Sequence, residues 1–410
     1  MLQAVSHPKK KVLIDVLVLR GGGGHYATYN ALRAIAEQQK LPWELNVIYA
    51  DAIAESARGQ NKTLDLSKLL GTISDKFYDY IQKNGWGWIH LLTIHLHKLI
   101  IKLKHNLDVN LLEENWRRQQ PDLVVSVVPF HDKALWESLQ KAKLDTPVVT
   151  ILTDFADCPP AYWIEPKTEN YLVCGTKKAV EQARNLGVDR EHIFQTSGLV
   201  IHPRFYDPIL CGLSEAEALR ERRLERQQLG LDPDCVTGLV LFGANGSKAM
   251  LNIAKRLECL QQKLQLIFLC GRNEEVASSL RQHKSLQKRL VVTFTEDIPY
   301  YMYLADFFIG KPGNVSISEA LVMNLPAIVE RNFLTLPQER YAADWIQEQE
   351  VGITISSFRN IHQAVEKLIE PKNFARYRAN AAAINNQAVF EIPDILNKVI
   401  ASKKHSRILI

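Results

Sequence analysis

No stretch of the chain reaches the about 18 uninterrupted apolar residues that a membrane-spanning helix needs, so any membrane contact is expected to be peripheral. The six cysteines (Cys158, Cys174, Cys211, Cys235, Cys259 and Cys270) show neither C-x-x-C spacing nor nearby paired histidines. That pattern argues against a zinc site and against a disulfide framework, and it fits a reducing, cytoplasmic setting. There is no G-x-G-x-x-G followed by an acidic ribose partner and no Gly-Lys-Ser/Thr loop, which weakens dinucleotide and ATPase readings. The formal charge of +5 is small over 410 residues and makes no broad basic stripe, so nucleic acid is not an expected partner. Internal repeats and low-complexity segments are also missing.

What remains is an ordinary globular balance, 46% hydrophobic and 23% charged, in a chain long enough for two domains. Lys9-Lys10-Lys11 followed by the apolar run 12–19 superficially resembles a signal peptide, but Asp15 interrupts the run and a glycine cluster follows, so a first strand is the better reading. Short apolar runs at 12–19, 45–50, 122–128, 147–153 and 170–173 alternate with helical patterns at 26–40, 133–143 and 177–187. A second series has strands near 238–243, 265–270, 290–294, 307–309 and 326–330, with helices near 247–261, 273–285, 315–324 and 338–349. Such alternation predicts parallel sheets. The expected architecture is α/β, with a Rossmann-like domain over 1–205, an Arg- and Glu-rich linker over 206–236, a second Rossmann-like domain over 237–370, and helices over 371–410 packing across the junction. Two such domains facing each other across a cleft bind ligands at the carboxyl ends of their strands, where the motifs are therefore sought.

Arg20-Gly21-Gly22-Gly23-Gly24-His25 directly follows the first strand and opens a helix. A glycine run lets backbone approach a ligand closely, and a helix start offers free N–H groups to a phosphate or an acceptor head group. His25 is a candidate general base, although a histidine there also serves as a simple helix cap. Gly310-Lys311-Pro312-Gly313-Asn314-Val315-Ser316-Ile317-Ser318-Glu319-Ala320 repeats the strand, loop and helix arrangement. Its turn suits a diphosphate and Glu319 a ribose diol, with helix capping and a solvated glutamate as the plain alternative. In Phe268-Leu269-Cys270-Gly271-Arg272-Asn273, Arg272 ends a strand and can pair with phosphate, or form a surface ion pair. Asp232-Pro233-Asp234 formally matches a metal-binding D-x-D pair but sits in a Leu-Gly turn, so a turn is expected and a metal is not.

Together these segments resemble the monogalactosyldiacylglycerol synthase and processive diacylglycerol glucosyltransferase family, distant relatives of the bacterial lipid II-forming transferase. The resemblance rests on Gly22-Gly23-Gly24-His25, Thr153-Asp154, Gly198-Leu199-Val200-Ile201-His202-Pro203-Arg204-Phe205, Cys270-Gly271-Arg272-Asn273, the 310–320 loop with Glu319-Ala320, and Gln338-Glu339. It implies a GT-B fold and an inverting transfer of a hexose from a UDP-sugar to a lipid acceptor such as diacylglycerol, with no metal or other cofactor. It further implies His25 as base with Asp154 orienting base or acceptor, Gly23 and Gly24 toward the acceptor, and a donor pocket from Gly243, Arg272, Asn273, Gly313, Asn314, Ser316, Glu319, Gln338 and Glu339. The chain departs from the family pattern at Cys158-Pro159-Pro160-Ala161-Tyr162-Trp163, where the family often has a histidine before an aromatic pair, at Asn314 in place of a second small glycine, at Pro337 in place of the usual glycine, and at Ala342 or Ala343 in the region of a family asparagine. Donor identity and acceptor-side detail are therefore not carried across.

Residues 84–105 combine tryptophans, aliphatics and cations, and as a helix they would align Trp88, Ile89, Leu92, Leu96, Leu99, Ile100 and Leu103 opposite His90, His97, Lys98, Lys102 and Lys104. With Trp86 beside it, such a helix suits an anionic membrane surface, or equally a sheet face. Two other functions share these features. A UDP-sugar 2-epimerase would need extra carboxylates and no lipid, and a silent nucleotide-sugar-binding partner would bind UDP without transfer.

Overall fold

The computed structural model describes residues 11–19, 23–50, 87–206 and 214–408. Arg20, Gly21, Gly22, Trp86 and Cys211 lie outside the described residues, as do the side chains of Trp88, Leu92 and Leu96. The chain divides into two compact units, one built from the described parts of 1–65, 96–196 and 387–410, the other from those of 66–95 and 197–386.

The first unit is a six-stranded sheet of β1 (Val12–Val18), β2 (Trp43–Tyr49), β3 (Leu123–Ser126), β4 (Val148–Ile151), β5 (Tyr171–Cys174) and β6 (Ile193–Gln195). Its order is β2-β1-β3-β4-β5-β6, with every pairing parallel. Strands covered on both faces read as near-continuous apolar runs, which is why β3 and β4 are wholly buried. Among the described residues its helices include α1 (Gly23–Gln38), α2 (Gly87–Gln119, in this unit from residue 96 on), α3 (Asp132–Ala142) and α4 (Lys177–Asn185). Leu112 and Trp116 of α2 pack with Leu17, Val124 and Leu135 in the core, and the Trp116 indole donates to Ser138 Oγ at 2.7 Å.

The second unit repeats the plan with β7 (Val236–Leu241), β8 (Leu264–Leu269), β9 (Arg289–Val292), β10 (Phe307–Gly310), β11 (Ala327–Glu330) and β12 (Gly352–Ile355) in the order β12-β11-β10-β7-β8-β9. This is the doubly wound dinucleotide-fold order, all parallel, and the point where the strand order reverses falls between β7 and β10. The helices are α5 (Glu215–Gln228), α6 (Ala249–Arg256), α7 (Glu274–Gln282), α8 (Ile298–Leu304), α9 (Asn314–Val322), α10 (Pro337–Glu348), α11 (Ile361–Ile369) and α12 (Pro371–Ile384), after which α13 (Ala388–Ile408) returns to the first unit and packs on α1.

The segment read as a linker contains α5, opened by a capping box in which Ser214 and Glu217 exchange hydrogen bonds. Helix α5 is braced to the sheet by Asp306, which accepts from Arg222 at 2.6 Å, Arg226 at 2.9 Å and the Thr237 N–H at 2.8 Å. Burial alone would raise the Asp306 pKa, but the two guanidiniums overcome it and hold the carboxyl below its ordinary value. Asp306→Ala strands two guanidiniums, one of them on the 4%-exposed Arg226. It is expected to destabilise the second unit by about 3–5 kcal/mol, read as a lower urea midpoint.

Candidate functional site

In the first unit the strand order changes direction between β1 and β3, and the segments leaving these two strands meet at the histidine. His25 lies in the first turn of α1, its Nδ1 2.6 Å from the Val127 carbonyl just past β3 and 3.4 Å from Thr153 Oγ1 just past β4. A carbonyl only accepts, so Nδ1 carries the proton and Nε2 is left as the basic nitrogen. Burial lowers the ring's pKa from an ordinary 6.5 to about 4, against the raising effect of the Val127 hydrogen bond and with a smaller lowering contribution from His131. The imidazole is neutral at neutral pH, as a proton acceptor must be.

Trp163 packs its ring 5.9 Å from the His25 ring and donates its indole N–H to Asp154 Oδ2 at 2.7 Å. Asp154 thus braces the tryptophan that flanks the histidine. The loop bearing Trp163 is wound around Asp157, whose carboxylate accepts the N–H groups of Ala161, Tyr162 and Trp163 at 2.6–2.9 Å. Phe130, at φ 67°, clasps the same loop through its N–H to Tyr162 O at 3.1 Å and an edge-on ring contact of 4.6 Å. Gly24 lies one residue before His25, its carbonyl accepting from Thr28 Oγ1 at 3.1 Å, and Gly23 begins the helix.

In the second unit, the loops after β10, β7 and β8 emerge side by side because those strands are neighbours in the sheet. Gly313 is the N-cap of α9, and the first turn, Asn314 to Ser316, precedes the first helical bond, Ile317 N–H to Gly313 O at 3.0 Å. These are the N–H groups a helix leaves for an anion. Asn314 is buried and donates to Gln338 O at 3.3 Å, which ties the start of α9 to the start of α10. Glu339 is buried and accepts from Lys311 Nζ at 2.8 Å. Glu319 has its pKa pushed by burial up to about 8, against the pull of Arg204, so at neutral pH it mostly carries a proton and can both donate to and accept from a diol.

Gly243, at φ 70°, begins the turn after β7, and the loop beyond it interlocks with the turn after β8. A Cβ on Gly246 would meet Cys270 O at 2.3 Å, and one on Gly271 would meet Ala244 O at 2.1 Å, both at positive φ, so only glycine fits either position. Arg272 rises from this junction with its N–H on Ala244 O at 2.8 Å and its exposed guanidinium 4.6 Å over the Phe294 ring. Asn273 caps α7 through Val276 N–H at 3.1 Å. Its side-chain oxygen thereby has a structural task at the edge of the site.

The structure therefore gathers His25, Thr153 and Asp154 in the first unit, and Gly243, Arg272, Asn273, Gly313, Asn314, Ser316, Glu319, Gln338 and Glu339 along adjacent strand ends of the second. Sequence reasoning assigned no role to Val127, Trp163, Asp157, Lys311, Arg204 or Phe294. Of these, Lys311 had a signal, a cation inside a glycine loop. Asp232-Pro233-Asp234 is a turn, with Asp234 N–H on Asp232 Oδ1 at 2.9 Å and the Asp234 carboxylate paired to Arg223. Among the described residues no helix is long and apolar enough to cross a membrane. On α2, Leu99, Leu103 and Leu107 form one stripe at i, i+4 and i+8 and are 52%, 76% and 43% exposed, so this stretch of the apolar face is not packed on the sheet.

The family model for monogalactosyldiacylglycerol (MGDG) synthase matches residues 48–201, and that for the glycosyltransferase family 28 C-terminal domain matches residues 237–390. The chain is 25% identical over 415 residues to monogalactosyldiacylglycerol synthase 1, chloroplastic, of Arabidopsis thaliana, covering 96% of this chain and 72% of that protein. It is 24% identical over 407 residues to processive diacylglycerol beta-glucosyltransferase of Bacillus licheniformis, covering 96% and 97% respectively. Among solved structures, the S. aureus MnaA–UDP co-structure matches with a TM-score of 0.58 at 16% identity, over 95% of this chain and 97% of that one. The fold class is GT-B, with two Rossmann-like domains.

The ring environment makes a direct prediction. Followed by NMR, the His25 imidazole is expected to titrate near about 4, and a midpoint above about 6 would mean a solvated ring. Because the folded pKa lies below the unfolded one, stability drawn from the neutral ring is lost as pH falls from 6.5 toward 4. His25→Gln should lessen that loss.

Proposed function

We propose that this chain, which is a glycosyltransferase of the monogalactosyldiacylglycerol synthase and diacylglycerol glucosyltransferase type, moves a hexose from a UDP-sugar onto the hydroxyl of diacylglycerol at a membrane surface. The observation that carries the reading is the His25 ring, neutral at working pH and oriented by the Val127 carbonyl so that Nε2 is the basic nitrogen. The names of the relatives supply the lipid acceptor, and the UDP bound in the MnaA structure supports the donor.

In the proposed step the acceptor hydroxyl gives its proton to His25 Nε2 while its oxygen bonds to the anomeric carbon. The bond from that carbon to the diphosphate oxygen breaks, its electron pair leaves with UDP, and the configuration inverts. Charge developing on UDP is met by the first turn of α9 and by Arg272, so the proposed step draws on no metal ion. Glu319 and the Gln338-Glu339 pair hold ribose and hexose hydroxyls, while Trp163 and Asp154 keep the base in place. The leucine stripe of α2, on a helix that also carries Lys102 and Lys104, docks on anionic lipid.

Incubation of the purified protein with labelled UDP-sugars and a total lipid extract is expected to give a labelled glycolipid. An epimerised nucleotide sugar formed without lipid, or tight UDP binding with no transfer, would overturn the reading. His25→Ala is expected to lower kcat by about 10²–10⁴-fold with the UDP Kd unchanged, and an equal loss of UDP binding would remove it from the base role. Leu99→Glu together with Leu103→Glu should weaken sedimentation with phosphatidylglycerol vesicles by at least about tenfold without lowering the melting temperature.

A further inference from the structure

The ion pair between Lys311 and Glu339 stands at the entrance to the α9 helix start. Lys311 is the second residue before Gly313, and the Gly313 N–H returns to Lys311 O at 2.8 Å, so the lysine's backbone is part of the turn that caps the helix. From that turn Lys311 Nζ reaches Glu339 Oε1 at 2.8 Å. A Cβ placed on Gly313 would lie 3.5 Å from Lys311 Cε and 3.8 Å from Glu339 Oε1, so both side chains line the space over the N-cap. The two ends of the pair differ in environment, the lysine side chain being 34% exposed and the glutamate 11%. The glutamate is thus the more buried end of the pair and the lysine the more accessible one.

On the donor-site reading above, a diphosphate arriving at α9 brings about two negative charges to the place where Lys311 is already committed to one. We infer that Glu339 competes with the donor for Lys311: the lysine is held by Glu339 in the empty site and passes to the diphosphate when a UDP-sugar binds, which releases the Glu339 carboxylate to accept hydrogen bonds from the hexose. Phosphate and sugar recognition are thereby coupled through one cation. A nucleotide that keeps its diphosphate but has lost its sugar must still take Lys311 from Glu339 and gives that carboxylate no hydroxyl in return. The arrangement therefore weakens the hold on spent UDP relative to the intact donor.

The alternative is a plain brace tying the 311–313 turn to α10, and the two differ in sign. If the pair is only a brace, removing either partner loosens the loop and weakens every ligand. If Glu339 is a competitor, Glu339→Gln, nearly isosteric and uncharged, should bind UDP about threefold to fivefold more tightly. Lys311→Met should bind UDP about tenfold more weakly, and uridine, which has no phosphate, should bind both variants as it binds the wild type. The double variant should match Lys311→Met alone, because the glutamate acts through the lysine. Calorimetric titration of the four proteins with UDP and uridine reads all of this. Weaker UDP binding by Glu339→Gln, or a gain that persists without Lys311, overturns the competition. Failure of the wild type to bind UDP at all overturns the donor site itself, and the competition with it.

Discussion

The proposed chemistry of the first unit depends on one hydrogen bond, from His25 Nδ1–H to the Val127 carbonyl at 2.6 Å. It spans the place where the sheet order turns from β1 to β3, and it decides which imidazole nitrogen is basic. The surroundings hold the ring in place. Trp163 covers the ring, Asp154 holds the indole, and the carboxylate of Asp157 winds the tryptophan's loop into shape. Burial then pulls the ring's pKa down by more than the hydrogen bond raises it. In the proposed role of base, such a ring gives up some basicity for constant availability, since it stays unprotonated across the whole neutral range.

On the proposed reading the second unit has a different task, which is to meet the anionic charge of a diphosphate. Arg272 keeps its full charge over the Phe294 ring, Lys311 is offset by Glu339, and the backbone dipoles at the α9 start add a positive field that does not move. Backbone dipoles need no desolvation of a full charge and do not move, which suits the proposed binding and release of a diphosphate. Glu319, mostly protonated at neutral pH, adds no opposing charge.

Most strands and the two glycine-bearing turns were legible because their signals are local, in apolar runs bounded by glycine. Strands β6 and β12 were not, since edge strands this short carry few buried residues. Helix α5 was read as linker because its face is almost entirely charged, although Ser214 with Glu217 was a capping box in plain view. Among the site residues, His25 and Arg272 announce themselves by type and position. Val127 could not, because it contributes a carbonyl oxygen that every residue has. Trp163 and Asp157 act through contacts that only the folded loop creates, and Asn273 was given a ligand role where its side chain also closes a helix.

The interlocked turns at Gly246 and Gly271 have an evolutionary corollary. Each glycine lies against the other turn's carbonyl, 2.3 Å and 2.1 Å from where a first side-chain carbon would stand. Neither turn can drift alone, because any substitution at one contact displaces the main chain of its neighbour. Change is thus channelled away from this hairpin-like knot of backbone and toward side chains that stand clear of it. Divergence in such a lineage would be written in decoration, over an unchanging frame.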